Sequence, residues 1–506
     1  MRSSLFLSIL LTASTAIYAQ DTVNVLVHDT SGPQISRYIY GQFAEHLGRC
    51  IYDGIWAGDH YRMDVVDALK RIKIPLLRWP GGCFADQYHW RDGIGPRGQR
   101  KKTVNTSWGM VTDDNSFGTD EFFQLCKLIG CEPYLAGNVG TGTPEEMESW
   151  LEYLNFNGES ELADLRRKNG RQEPWNLSFF GVGNESWGCG GGMTPEYYAM
   201  LYRRYARFCK NYPGAPLKLV ASGADGDDYN WTEGVMKNIS LRNTWGIGVH
   251  YYTIPGDGGT HGSTTHFAED GYFHGLASCL KIEQLINKHL AIIDKYDQKK
   301  KVALCIDEWG VSADEEPGTR PEFHYQQNSL RDALIAATTL NIFNNHADRI
   351  KMANLAQVVN VLQALILTEG DKMLLTPTYH IFDLYKVHQD ARLLVVKFNS
   401  PNYTYGKEKI PAINISASMD STGTVHISLV NLDPTKAYTI RTPLQDLPSK
   451  NIQGKALTSV KCNDVNTFEL PNKVRIIPFT NTRKEGNDLV ITLPAKSVVV
   501  LELNNF

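Results

Sequence analysis

Phe179-Phe180-Gly181-Val182-Gly183-Asn184-Glu185-Ser186-Trp187-Gly188 is an apolar run that ends in an Asn-Glu pair, followed by tryptophan and glycine. A parallel strand covered on both faces reads this way when it delivers one carboxyl group to the rim of a barrel. The layout recurs at Val302-Ala303-Leu304-Cys305-Ile306-Asp307-Glu308-Trp309-Gly310. Two such strands, each tipped by a glutamate with an aromatic neighbour, set a pair of carboxylates across a sugar-sized pocket. A single strand-end glutamate is more often a solvated charge, and it is the repeat of the pattern that points to chemistry.

From Ile39 onward, strand and helix alternate at the spacing a βαβ unit needs. Apolar strands fall at 40–43, 74–79, 133–139, 177–183, 217–222, 247–252, 302–307 and 352–358. The segments between carry helical period, as in Ile282, Leu285, Ile286, Leu290 and Ile293, or Leu330, Ala333, Leu334 and Ala337. Thr143-Pro144-Glu145-Glu146 and Thr194-Pro195-Glu196 read as helix starts: a capping threonine, proline at the first helical position, then acidic residues. The reading is an α/β chain whose eight right-handed units close into a (β/α)8 TIM barrel, with all strand ends on one active face.

After about Val387 the helical period stops. Short alternating strands such as Val425-His426-Ile427-Ser428-Leu429 appear between turn residues, which reads as a C-terminal antiparallel, jelly-roll-like β-sandwich. The alternating stretch Val23–Val27 has no place in a closed barrel and is expected to dock on that sandwich. Met1–Ala19 reads as a secretory signal: Arg2, an apolar centre from Leu5 to Leu11, and small Ala19 before the cut. The expected division is therefore 1–19 signal, 20–36 docking strand, 37–386 catalytic barrel and 387–506 sandwich, in an exported protein of the periplasm or medium.

Composition narrows the function. With 51 basic and 55 acidic residues the chain has no polybasic footprint, which argues against nucleic acid. No segment reaches the length of a membrane span. The nine cysteines show no CxxC metal spacing and no dense framework, so mostly reduced thiols are expected, with at most one or two disulfides. No ligand spacing supports a metal, and Gly188-Cys189-Gly190-Gly191-Gly192 lacks the Lys-Ser/Thr of a phosphate loop, so no metal and no cofactor are expected.

Glu185 and Glu308 are the catalytic candidates. A gap of about 5–5.5 Å between their carboxyl groups allows direct attack on the sugar and retention; about 6.5–9.5 Å leaves room for water and inversion. Glu185 follows a neutral amide, Asn184, with little positive charge to hold it ionised, and is the better acid. Glu308 must be ionised to attack, and Tyr252 and Arg78 are placed to stabilise its charge. His46 and His250 read as loop supports, while Trp56, Trp187 and Trp309 either stack on sugar or wall the pocket.

At these residues the chain resembles family 51 glycoside hydrolases, whose main members are α-L-arabinofuranosidases. The resemblance runs in order through Phe43-Ala44-Glu45-His46-Leu47-Gly48-Arg49, Arg78-Trp79-Pro80-Gly81-Gly82, Asp92-Gly93-Ile94-Gly95-Pro96, Asn138-Val139-Gly140-Thr141-Gly142, Gly183-Asn184-Glu185, His250-Tyr251-Tyr252, Asp307-Glu308-Trp309 and Ala353-Asn354-Leu355-Ala356-Gln357. It implies a retaining mechanism with Glu185 as acid/base and Glu308 as nucleophile, acting on arabinofuranose-containing oligo- or polysaccharide. It also implies that Glu45, Asn184 and Gln357 bind ring hydroxyls, that Tyr252 orients Glu308, and that the chain forms a homo-oligomer. Some members carry Asn after the Pro-Gly-Gly turn where this chain has Cys83, a poorer hydrogen-bond partner at a substrate-binding position. An endo-β-glucanase or β-xylosidase on the same scaffold, or a silent carbohydrate-binding protein, are the other readings of this architecture.

Overall fold

The computed structural model describes residues 21–28, 32–445 and 447–505, so the signal reading at 1–19 lies outside the described residues. Strand β1 is Thr22–His28, and eight strands follow: β2 Gly41–Phe43, β3 Leu76–Trp79, β4 Glu132–Gly137, β5 Phe179–Val182, β6 Lys218–Asp225, β7 Gly246–Thr253, β8 Ala303–Val311 and β9 Ile350–Ala356. β2 to β9 form a closed barrel in chain order, every neighbouring pair parallel. Helices including Met63–Arg71, Thr119–Ile129, Pro144–Asn155, Pro195–Phe208 and Glu269–Tyr296 wrap it. The Thr143 and Thr194 side chains accept from the backbone amides of Glu146 and Tyr197, as the capping residues require.

Both glutamates sit differently from their expected strand-end positions. β5 stops at Val182, and Glu185 lies beyond it with φ of 37°, in the left-handed region that non-glycine residues adopt at some cost. β8 runs on through Glu308 to Val311. Successive strand residues normally face opposite sides, yet Asp307 and Glu308 both reach polar partners inside the barrel. The register between β7 and β8 slips between Gly248↔Cys305 and His250↔Glu308, and the extra residue of that bulge turns both carboxylates inward. Trp309 then faces out, buried against Phe343 and Phe382, and Trp56 packs on Tyr61 and Phe117, so both are core residues.

The C-terminal part is a ten-stranded, mostly antiparallel sheet. β1 runs inside it, antiparallel to Arg392–Phe398 and parallel to Tyr438–Pro443, so the antiparallel expectation is corrected at that one pairing. Its alternation is what permits this: Val23, Val25 and Val27 are buried while their neighbours are not. The helix Leu330–Asn345 is buried along its length between barrel and sheet. Ser416 donates to Asn341 across the junction, and Tyr40 donates to Asn344. Among the described residues no helix is long and apolar enough to cross a membrane.

Candidate active site

The site is built from the C-terminal ends of the barrel strands. Arg78, fully buried on β3, donates through Nη1 to Glu308 Oε1 (2.7 Å) and to the Asp307 carbonyl (3.1 Å), and through Nη2 to Asn184 Oδ1 (2.6 Å). Its guanidinium lies over the Phe43 ring, 4.6 Å from the centroid. Because the Asn184 oxygen is taken by Arg78, the amide Nδ2 is the group Asn184 offers to a ligand. The Tyr252 hydroxyl donates to Glu308 Oε2 at 2.9 Å, whereas Tyr251 turns away to donate to the Ser278 carbonyl. Glu308 thus receives a charge-assisted bond on one oxygen and a phenol on the other.

Glu45 from the loop after β2 accepts from Trp108 Nε1 (3.0 Å), Gly82 N (2.9 Å) and Phe84 N (3.1 Å), and Gln357 Nε2 donates to its other oxygen. Burial, reinforced by the charge of Glu308, pushes Glu45 up to about 7 against those hydrogen bonds. Gln357 Oε1 is buried without a partner among the described residues. The Gly81-Gly82 turn is dictated by this crowding: a Cβ on Gly82 would lie 2.7 Å from Glu308 Oε1, and one on Gly81 2.7 Å from Glu45 Cγ.

Glu185 faces Glu308 across the pocket. One oxygen of each, together with a ring nitrogen of His250, lies within 4.8 Å of the others. His250 Nδ1 is 2.8 Å from Glu185 Oε1 and 3.5 Å from Glu308 Oε2, and its Nε2 is 3.5 Å from Asp307 Oδ1. Burial disfavours a charged His250, but Glu308's charge and hydrogen bonds to Asp307 and Glu185 outweigh it and hold the imidazole protonated well above its usual range. Burial raises Glu185; the His250 hydrogen bond pulls it down, Glu308's charge pushes it up, and the net direction is up. Asp307 is raised by burial but ends below the ordinary range, because His250 and Arg78 outweigh that and the Tyr134 hydroxyl donates to it.

Three features escaped the sequence. His250 is a direct partner of Glu185 rather than a loop support, so a positive charge does stand beside the residue read as having none. The available signal was its position two residues before Tyr252 on one strand, which puts both side chains on the same face. Trp108 comes from a loop with no periodic signature. Cys83 is not a free thiol: it is bonded to Cys189, while the other seven cysteines are free. The bridge ties the turn after β3 to the glycine-rich loop after Glu185.

Such a pocket, two facing carboxylates inside a closed barrel mouth lined with groups for hydroxyls, defines a barrel glycoside hydrolase. Residues 68–261 match the model of the α-L-arabinofuranosidase 1 domain and residues 307–497 that of the α-L-arabinofuranosidase C-terminal domain. The chain is 49% identical to an intracellular exo-α-L-arabinofuranosidase of Bacteroides ovatus, over 97% of this chain and 98% of the relative. A family 51 arabinofuranosidase structure from Xanthomonas axonopodis pv. citri matches with a TM-score of 0.94 at 47% identity, covering 96% of this chain and 100% of that one. An arabinose complex of the Thermotoga maritima α-L-arabinofuranosidase matches at 0.82 and 32%, covering 95% and 99%. The chain belongs to the α-L-arabinofuranosidases of glycoside hydrolase family 51. The expectation of an exported protein is corrected: the Bacteroides ovatus relative, similar over nearly the whole chain, is named intracellular.

Proposed function

We propose that the protein is a retaining, exo-acting α-L-arabinofuranosidase that removes terminal arabinofuranosyl residues from arabinan- or arabinoxylan-type oligosaccharides by double displacement. The observation that carries the reading is the approach of Glu185 and Glu308 oxygens to within 4.8 Å, which fits direct attack better than an interposed water. Glu308, oriented by hydrogen bonds from Arg78 and Tyr252, attacks the anomeric carbon while Glu185 protonates the leaving oxygen. Once Glu308 is esterified its charge is gone, and with it one of the influences that raise Glu185. Glu185 then more readily holds the ionised form that activates water for the second step.

Burial supports an exo pocket for one sugar. Glu45, Asn184 and Gln357 are almost inaccessible, whereas the Glu185 side chain keeps 18% of its exposure and stands at the mouth where the leaving group departs. In this reading Glu45, the Asn184 amide and Gln357 bind ring hydroxyls. A cleft of about 750 Å³ lined by Tyr252, Tyr229, Ile254, His261 and Lys281 has room for the rest of the polysaccharide. A homo-oligomer is part of the same reading and is checked by sedimentation equilibrium. The test of function is a panel of aryl glycosides differing only in the sugar, together with arabinan digestion. Fast cleavage of the α-L-arabinofuranoside and release of arabinose alone are expected; preference for a β-D-xyloside or β-D-glucoside, or release of oligosaccharides, would overturn it.

A further inference from the structure

The Cys83–Cys189 bridge sits against the reacting carboxylate rather than behind it. Cys189 Sγ is 3.5 Å and Cys83 Sγ 3.9 Å from Glu185 Oε2, and Asn184 Nδ2 is 3.9 Å from Cys189 Sγ. Cys189 is exposed on the glycine-rich loop, so a small reductant reaches it from solvent. Cys83, Glu185 and Cys189 together present one ligand atom each, all within 4.8 Å of one another. A tetrahedral zinc ion with a Zn–S bond of about 2.3 Å and a Zn–O bond of about 2.1 Å separates sulfur and oxygen by about 3.6 Å. The two sulfur–oxygen distances in the pocket already bracket that value, and only the sulfur–sulfur bond has to open.

We infer that reduction of the Cys83–Cys189 disulfide by a dithiol turns the mouth of the pocket into a zinc site of two thiolates and the Glu185 carboxylate. The dithiol gives two electrons and two protons to the bridge and becomes a disulfide itself. Zinc then binds both sulfurs and the Glu185 carboxylate, releasing the two thiol protons and the proton carried by Glu185 to solvent, and leaves a fourth position for water. Two thiolates select a soft or borderline ion, so zinc is favoured over magnesium or calcium. The gating is redox because, while the bridge is closed, Cys83 and Cys189 are bonded to each other and offer a dication no thiolate. In the neighbouring cluster Arg78 already pairs with Glu308. The flanking glycines, with Gly191 and Gly192 at positive φ, give the Cys189 loop freedom to separate the sulfurs. A zinc-bound Glu185 has no proton to give, so the ion shuts down turnover; this consequence rests on the proposed role of Glu185, whereas zinc uptake does not.

The test uses the full chain in two states, oxidised and dithiol-reduced then desalted without oxygen. Zinc uptake is measured by competition with a chromophoric chelator, and initial rates on an aryl α-L-arabinofuranoside are taken with zinc and after chelator rescue. The reduced chain is expected to take up one more zinc than the oxidised chain. At zinc about ten times its dissociation constant it should lose turnover about tenfold, restored by chelator. The Cys83→Ser/Cys189→Ser variant should lack that extra uptake, which separates this site from the seven other thiols. If the variant does not fold, the oxidised wild-type chain is the control. Equal uptake by both states, uptake that survives in a folded double variant, or a bridge that dithiol leaves closed would each overturn the proposal. Extra uptake without loss of turnover would overturn ligation by Glu185, and a chain that cleaves no arabinofuranoside at all would sink the functional reading while leaving the uptake measurement decisive.

Discussion

On β3, Leu76 packs into an apolar plug with Tyr134, Phe179, Val220, Ala303, Cys305 and Met352, and two residues further along the same strand Arg78 grips Glu308. β8 repeats the change: Ala303 and Cys305 belong to the plug, Asp307 and Glu308 to the charged cluster. Tyr134 joins the layers, its ring in the plug and its hydroxyl on Asp307. One end of the barrel excludes water and is stabilised by burial. The other buries Arg78, His250, Glu45, Asp307 and Glu308, and leaves Arg78 Nε and Gln357 Oε1 without partners among the described residues. Buried charge is weak evidence for stability, so the upper layer is maintained for what it does to a ligand. The lower layer supplies the rigidity that keeps those groups in place.

The comparison breaks if damage to the upper layer unfolds the protein, or if damage to the plug removes chemistry. Glu308→Gln keeps an oxygen for Arg78 and should lower turnover by at least about 10³-fold with little change in melting temperature. Glu185→Ala should slow substrates with poor leaving groups by about 10²–10⁴-fold and activated aryl glycosides far less. Equal losses on both would mean that another group is the acid. Leu76→Ala should cost about 2–5 kcal/mol in denaturant unfolding while the folded fraction keeps its turnover. A collapse of kcat in the folded fraction would erase the division between layers.

His250→Gln gives the smallest and most diagnostic effect. The imidazolium lowers Glu185, so its removal should raise the Glu185 pKa and move the alkaline limb of kcat/KM to higher pH. A limb that moves down would mean the histidine acts on the acid in the opposite sense.

The barrel was legible because eight apolar strands and their helical spacers carry strong period, and each observed strand overlaps the stretch read for it. Strand ends were less legible: the bulge that turns Asp307 and Glu308 inward together depends on the register with β7, which a single strand does not encode. Arg78 and Tyr252 could be nominated because each lies at a strand end, and Asn184 because it is the amide beside Glu185; Glu45 and Gln357 came only from the resemblance to family 51. Trp108 could not, since its contact with Glu45 joins a loop of no periodic pattern to a distant segment. The cysteine pair was equally hidden, because nine cysteines allow many pairings and Cys83 and Cys189 lie in different loops. His250 was read as support because a lone histidine usually is, and its charge emerges only from the three carboxylates that surround it.

The central claim is that Glu185 and Glu308 address one furanose from opposite sides, near enough for direct displacement. Incubation with an activated 2-fluoro-arabinofuranosyl reagent, followed by proteolysis and mass spectrometry, tests it most directly. The account predicts stoichiometric glycosylation of Glu308 that decays slowly with return of activity. A label on any other residue, or inactivation with no covalent adduct, would contradict it.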